Sequence, residues 1–119
     1  MSLSRSELPL YEIKAGLFKG LSHPQRIRIL ELLVECEELT VSQLQEHVGL
    51  EASHLSQHLS VLRKHRLVES ERRASHVYYR LSNPQVGELL SAARSLLGEI
   101  VTAERQRADS VHAVLGDQK

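Results

Sequence analysis

The sequence predicts a mainly α-helical fold of five helices with one small β-hairpin, on three observations. Apolar residues recur at helical spacing in five separate stretches. The period changes once to strict alternation, where Val77, Tyr79 and Leu81 interleave with His76, Tyr78 and Arg80. Helix-start chemistry precedes several stretches, as Ser22-His23-Pro24-Gln25, Thr40-Val41-Ser42-Gln43 and Ser82-Asn83-Pro84-Gln85. A length of 119 residues favours a single domain with a modest core.

Residues 1–9 are expected as a flexible tail. Ile13, Leu17, Phe18 and Leu21 then set the first helix, which Gly20 can close. In the second helix Ser22 is the expected cap, Pro24 fits the first turn and Gln25 can reach back. Its buried stripe reads Ile27, Leu30, Leu33 and Val34, and it stops near Cys36, where Glu35, Glu37 and Glu38 suit a solvated loop. Thr40 and Gln43 form a capping box for a short third helix with Val41, Leu44 and Val48 inward.

Gly49 then separates this helix from a fourth, opening near Glu51 and Ala52. Leu55, Leu59 and Leu62 fall at i, i+4 and i+7 on one face of it. Ser53, His54, Ser56, Gln57 and Ser60 fill much of the rest, a short, uncharged surface rich in donors and acceptors. Such a helix suits the DNA major groove, where base edges are read by hydrogen bonds. Helix, Gly turn, helix is the helix-turn-helix pattern; an ordinary helical hairpin with a polar outer face is the alternative.

Leu67 to Glu71 and His76 to Leu81 read as a hairpin, or wing, with Arg72-Arg73-Ala74-Ser75 at its tip. Arg72 and Arg73 are placed to reach phosphates or the minor groove. A long fifth helix carries Val86, Leu89, Leu90, Ala93, Leu96, Leu97, Ile100 and Val101. One small core cannot cover so wide a stripe, so a homodimer is expected through the first and last helices, with Ile13, Leu17, Leu89, Leu96, Leu97 and Ile100 at the interface. Residues 10–108 thus form the DNA-binding and dimerisation domain, and 109–119 a second flexible tail.

Acidic and basic residues balance at 15 each, but the basic excess is local. Residues 51–82 hold six Lys/Arg against three Asp/Glu, a net of +3, where the flanking parts are slightly acidic. The single Cys36 excludes an intrachain disulfide and a cysteine-rich metal cage. The polar N-terminus and the lack of a long apolar run lead us to expect a cytoplasmic protein with no membrane partner. With Phe18, Tyr11, Tyr78 and Tyr79 as its aromatics, the chain lacks a base-stacking platform for single strands.

In this order and spacing, Leu21-Ser22-His23-Pro24-Gln25-Arg26-Ile27-Arg28-Ile29-Leu30, Leu55-Ser56-Gln57-His58-Leu59-Ser60-Val61-Leu62, Leu67-Val68 and Val77-Tyr78-Tyr79-Arg80-Leu81 resemble the ArsR/SmtB family of dimeric winged-helix repressors. The resemblance implies a winged helix-turn-helix homodimer that binds an imperfect inverted repeat and leaves it when an inducer binds. It also implies that Ser53, Ser56 and Gln57 contact bases or phosphates. Two departures stand out. Arg66 occupies a position where many members carry Gly. Ser56-Gln57-His58 replaces the common Ser-Arg-His, exchanging a cation for an amide that pairs well with adenine.

The metal-sensing motifs of the family, Cys-x-Cys near the third helix and paired Asp/His sets on the last, are missing. Asp109 and His112, at i and i+3, are the residues nearest to a metal half-site; His54 and His58 have the spacing of a pair but lie on the recognition helix. No cofactor is expected, and no inducer can be named. An enzyme is not expected either, without a Gly-rich phosphate loop, His-Glu-x-x-His or a nucleophile beside an orienting base. A protein-docking winged helix and a sensor with a non-standard His/Asp/Glu site are the competing readings.

Overall fold

The computed structural model describes residues 8–116. Its elements are α1 (Leu8–Gly20), α2 (Pro24–Glu35), β1 (Leu39–Thr40), α3 (Val41–Val48), α4 (Ala52–Lys64), β2 (Val68–Arg73), β3 (His76–Leu81) and α5 (Gln85–Gly116). They form two units, one up to Gly87 and one from Glu88 onward, the second being the body of α5. Of the expected N-terminal tail, residues 1–7 lie outside the described residues, while Leu8 and Pro9 already belong to α1. Residues 109–116, read from the sequence as tail, continue α5 as helix.

Local chemistry sets the helix ends of the first unit. Pro24 takes the first position of α2, so His23 and not Ser22 becomes the cap: His23 Nδ1 accepts from the Gln25 amide at 3.1 Å. Ser22 instead donates to the Lys19 carbonyl at 2.7 Å, closing α1. The expected capping box of α3 is complete, with Thr40 Oγ1 accepting from the Gln43 amide and Gln43 Oε1 accepting from the Thr40 amide. Gly49 ends α3 at φ 74°, the left-handed region that glycine enters without steric cost. Arg28 then ties α2 to this helix end, donating to the His47 carbonyl at 2.8 Å.

The core holds Ile29, Leu30 and Leu33 of α2, Leu39 of β1, Leu44 and Val48 of α3, and Leu55, Leu59 and Leu62 of α4. Leu67, Val68 and Val86 complete it within this unit. Ile27 and Val34 depart from the sequence reading. Seven residues apart, they share the outer face of α2 and are 38% and 47% exposed, because the buried face centres on Ile29, Leu30 and Leu33.

The sheet is antiparallel in the order β1-β3-β2. Leu39 pairs with Tyr79, Val68 with Leu81, and Arg73 with His76. The hairpin loop is therefore only Ala74-Ser75, and Arg72 and Arg73 belong to the strand rather than the tip. Ala74 has φ 55°, as the first central residue of a type II′ turn requires. The sequence pattern missed β1, since two residues carry no alternation to detect.

Candidate nucleic-acid interface

Helix α4 follows α3 across Gly49, Leu50 and Glu51. Its seat is apolar: Leu55 and Leu62 are fully buried and Leu59 nearly so. Each such side chain stabilises its buried position by roughly 1.5–3 kcal/mol, which fixes the rotation of the helix about its axis. With that rotation fixed, Ser53, His54, Ser56, Gln57 and Ser60 are all exposed. Their side chains are short or carry amides and hydroxyls, the groups that pair with base edges and phosphates. Glu51 precedes α4 without a side-chain cap bond, and Arg63 and Lys64 lie in its last turn. Both ends thus carry the sign of charge that the helix dipole favours.

Arg66 follows at φ 63°, so this arginine takes the left-handed conformation that glycine adopts more readily. Its carbonyl accepts from Ser82 at 2.7 Å, a bond that ties the exit of α4 to the end of β3.

On the wing the two arginines part company. Arg72 is exposed and makes no hydrogen bond or ion pair among the described residues. Arg73 is bound into a network. It donates to Glu38, lies near Glu71, and stacks its guanidinium 3.8 Å from the centroid of the Tyr78 ring. The hydrogen bond to Glu38 raises the arginine's pKa, and the charges of Glu38 and Glu71 act the same way. Arg80 joins the network through Glu71 at 3.1 Å and Glu69 at 3.4 Å. Sequence reasoning missed Glu38, Tyr78 and Arg80 here. Glu38 lies 35 residues from Arg73, so only the β1–β3 pairing brings it to the wing.

His58 is set apart from its neighbours on α4. Half-buried, it places its ring 4.4 Å from that of His23. Burial lowers its pKa, and His23, Arg26 and His54 lower it further. Among the described residues no group of three or more His, Cys, Asp or Glu side chains could hold a metal ion. Asp109 and His112 are exposed on α5, and no third ligand joins them among the described residues.

The apolar residues expected at a dimer interface are open to varying degree. Ile13, Leu96, Leu97 and Ile100 are exposed, while Leu17 and Leu89 are half-buried. Tyr11 and Phe18 on α1 and Val101, Val111, Val114 and Leu115 on α5 add to this uncovered apolar surface. No helix among the described residues is long and apolar enough to cross a membrane.

Two helices joined across a left-handed glycine, followed by a β2–β3 hairpin that pairs with β1 in an antiparallel sheet, define a winged helix-turn-helix protein. The sequence profile of the "Bacterial regulatory protein, arsR family" matches residues 23–70. The chain is 46% identical over 94 residues to an HTH-type transcriptional regulator of Mycobacterium tuberculosis, Rv0081, covering 79% of this chain and 82% of that protein. The crystal structure of Rv0081 matches with a TM-score of 0.74 over 81% of this chain and 96% of the other. The nodulation protein NolR of Rhizobium meliloti is 40% identical over 96 residues, 81% of this chain and 78% of that protein. The solution structure of a homodimeric winged helix-turn-helix DNA-binding domain, Mb0332 of Mycobacterium bovis, is 26% identical with a TM-score of 0.75, covering 83% and 91%. The chain belongs to the arsR family of bacterial regulatory proteins, and it is a transcriptional regulator of that family.

Proposed function

We propose that this chain is a homodimeric repressor that binds an inverted-repeat operator in double-stranded DNA. Helix α4 lies in the major groove, with Ser53, His54, Ser56, Gln57 and Ser60 toward the duplex. Arg72 reaches the backbone beside it, and Arg73 does so only after leaving Glu38. The observation that carries this reading is the fixed rotation of α4: three buried leucines behind, five exposed polar side chains in front.

The second copy covers the apolar faces of α1 and α5, through Ile13, Leu17, Leu89, Leu96, Leu97 and Ile100. Homodimerisation of the related M. bovis domain supports this, as does the extent of open apolar surface. Two recognition helices then read half-sites about one helical turn apart. The chain acts in the cytoplasm, where its operator is, with no catalytic step and without the usual metal sites of its family. Residues 10–108 carry both DNA binding and dimerisation.

The test begins by selecting a duplex from a randomised pool. The expected product is an inverted repeat bound by two copies, with affinity falling steeply as salt rises. Selection of no consensus, with equal binding to scrambled duplex, would overturn the proposal.

A further inference from the structure

Arg26 is the hub of a contact between α1, α2 and α4. Its Nε donates to the Gly20 carbonyl at 2.8 Å, and a second nitrogen donates to the Lys19 carbonyl at 3.1 Å. Its remaining nitrogen lies 3.5 Å from His58 Nδ1. The His23 ring packs against the same imidazole at a tilt of 51°. A neutral His58 can offer Nδ1 as an acceptor to the guanidinium. A protonated one has donors on both nitrogens and meets a cation instead.

The groups that act on the charge of His58 are His23 at the cap of α2, Arg26 of α2, and His54 of its own helix. His65, packed against Gly16 and Gly20 of α1, lies in a similar setting. It packs so closely on α1 that a Cβ on Gly16 would sit 3.0 Å from its Nδ1. Burial lowers its pKa, and Lys64, Lys19 and Arg26 act in the same direction; Glu12 lines the groove beside it.

We propose that His58, Arg26 and His23 form a proton-responsive seat for the recognition helix, in which a proton gained by His58 loosens α4 from α2 and weakens operator binding. This rests on the repressor reading above. The ligand is the proton itself, and the element it biases is the contact of α4 with α2.

Burial and basic neighbours make the seated imidazole a weaker base than in the unfolded chain. As pH falls below the ordinary histidine value of about 6.5, the unfolded or loosened chain takes up the proton first. The seat is complete above that value and is lost as pH falls through the window beneath it.

The experiment measures affinity for the selected inverted-repeat duplex at fixed ionic strength between about pH 8 and about pH 5, which spans the window beneath the ordinary histidine value. The wild-type chain should lose at least about fivefold in affinity, the low end of typical coupling between a switch and a binding site. His58→Asn keeps an acceptor near Arg26 without a titrating ring and should bind almost evenly across the range. His23→Asn keeps the cap of α2 while removing the second imidazole, and should shrink the loss. Affinity that holds or rises on acidification, or an undiminished loss in His58→Asn, would overturn the proposal. If no duplex binds even near pH 8, the repressor reading fails separately. Thermal unfolding of the free chain then still decides the seat: the acid-induced fall in Tm should be smaller in His58→Asn, and equal falls would overturn it.

Discussion

Arg72 and Arg73 are neighbours in sequence, yet their replacement should have unequal effects on DNA binding. Arg72 is exposed and without a protein partner among the described residues, whereas Arg73 is held by Glu38 and Tyr78. Removing one arginine–phosphate pair reduces the slope of log affinity against log salt by about 0.9. A dimer presents two wings, so Arg72→Ala should flatten the slope by about 1.8. Between about 50 and 200 mM salt, the wild-type advantage over this variant should then shrink by roughly 4 to the power 1.8, or about twelvefold. Arg73→Ala should flatten the slope by clearly less, because in the free protein that guanidinium already has a carboxylate partner. Fluorescence anisotropy with the selected duplex over a salt series gives both slopes. Equal flattening by the two variants, or a larger effect from Arg73→Ala, would refute the inference that pairing withholds Arg73 from the duplex.

Gly20→Ala should destabilise the fold by about 1–3 kcal/mol, as overpacking does. Its Cβ would lie 2.7 Å from Leu67 Cδ1, so this side chain, only 1% exposed, must shift within the core; chemical denaturation reads the loss. Arg66→Gly and Ala74→Gly should each be neutral or stabilising by up to about 1 kcal/mol, since both residues hold positive φ at a cost that glycine avoids. A lower denaturation midpoint in either variant would count against that strain. Leu97→Asp, on the open face of α5, should yield a folded monomer in sedimentation and abolish operator binding, because a charge at the centre of an apolar contact is unpaired.

How legible these features were in the sequence depends on how local their causes are. The rotation of α4 could be read because Leu55, Leu59 and Leu62 repeat at a spacing that only one helix face satisfies. The capping box at Thr40 and Gln43 and the left-handed turn at Gly49 were legible for the same reason. The cap of α2 was misplaced by one residue, because the weight given to Ser22 overlooked that Pro24 fixes the first helical position. Ile27 and Val34 looked buried because periodicity identifies an apolar stripe but not which edge of it meets the core. The Arg73–Glu38 pair, strand β1 and the contact of His58 with His23 and Arg26 all join residues far apart in the chain. Nothing in a local pattern signals them.

Amide chemical-shift mapping with the selected inverted repeat shows whether the polar face of α4 meets the duplex. The largest changes should fall on Ser53, His54, Ser56, Gln57 and Ser60, with Arg72 on the wing, and Gln57→Ala should relax discrimination by about 1–3 kcal/mol at one base pair. Changes concentrated on α1 or the outer face of α5, with α4 unaffected and base preference intact in Gln57→Ala, would contradict it.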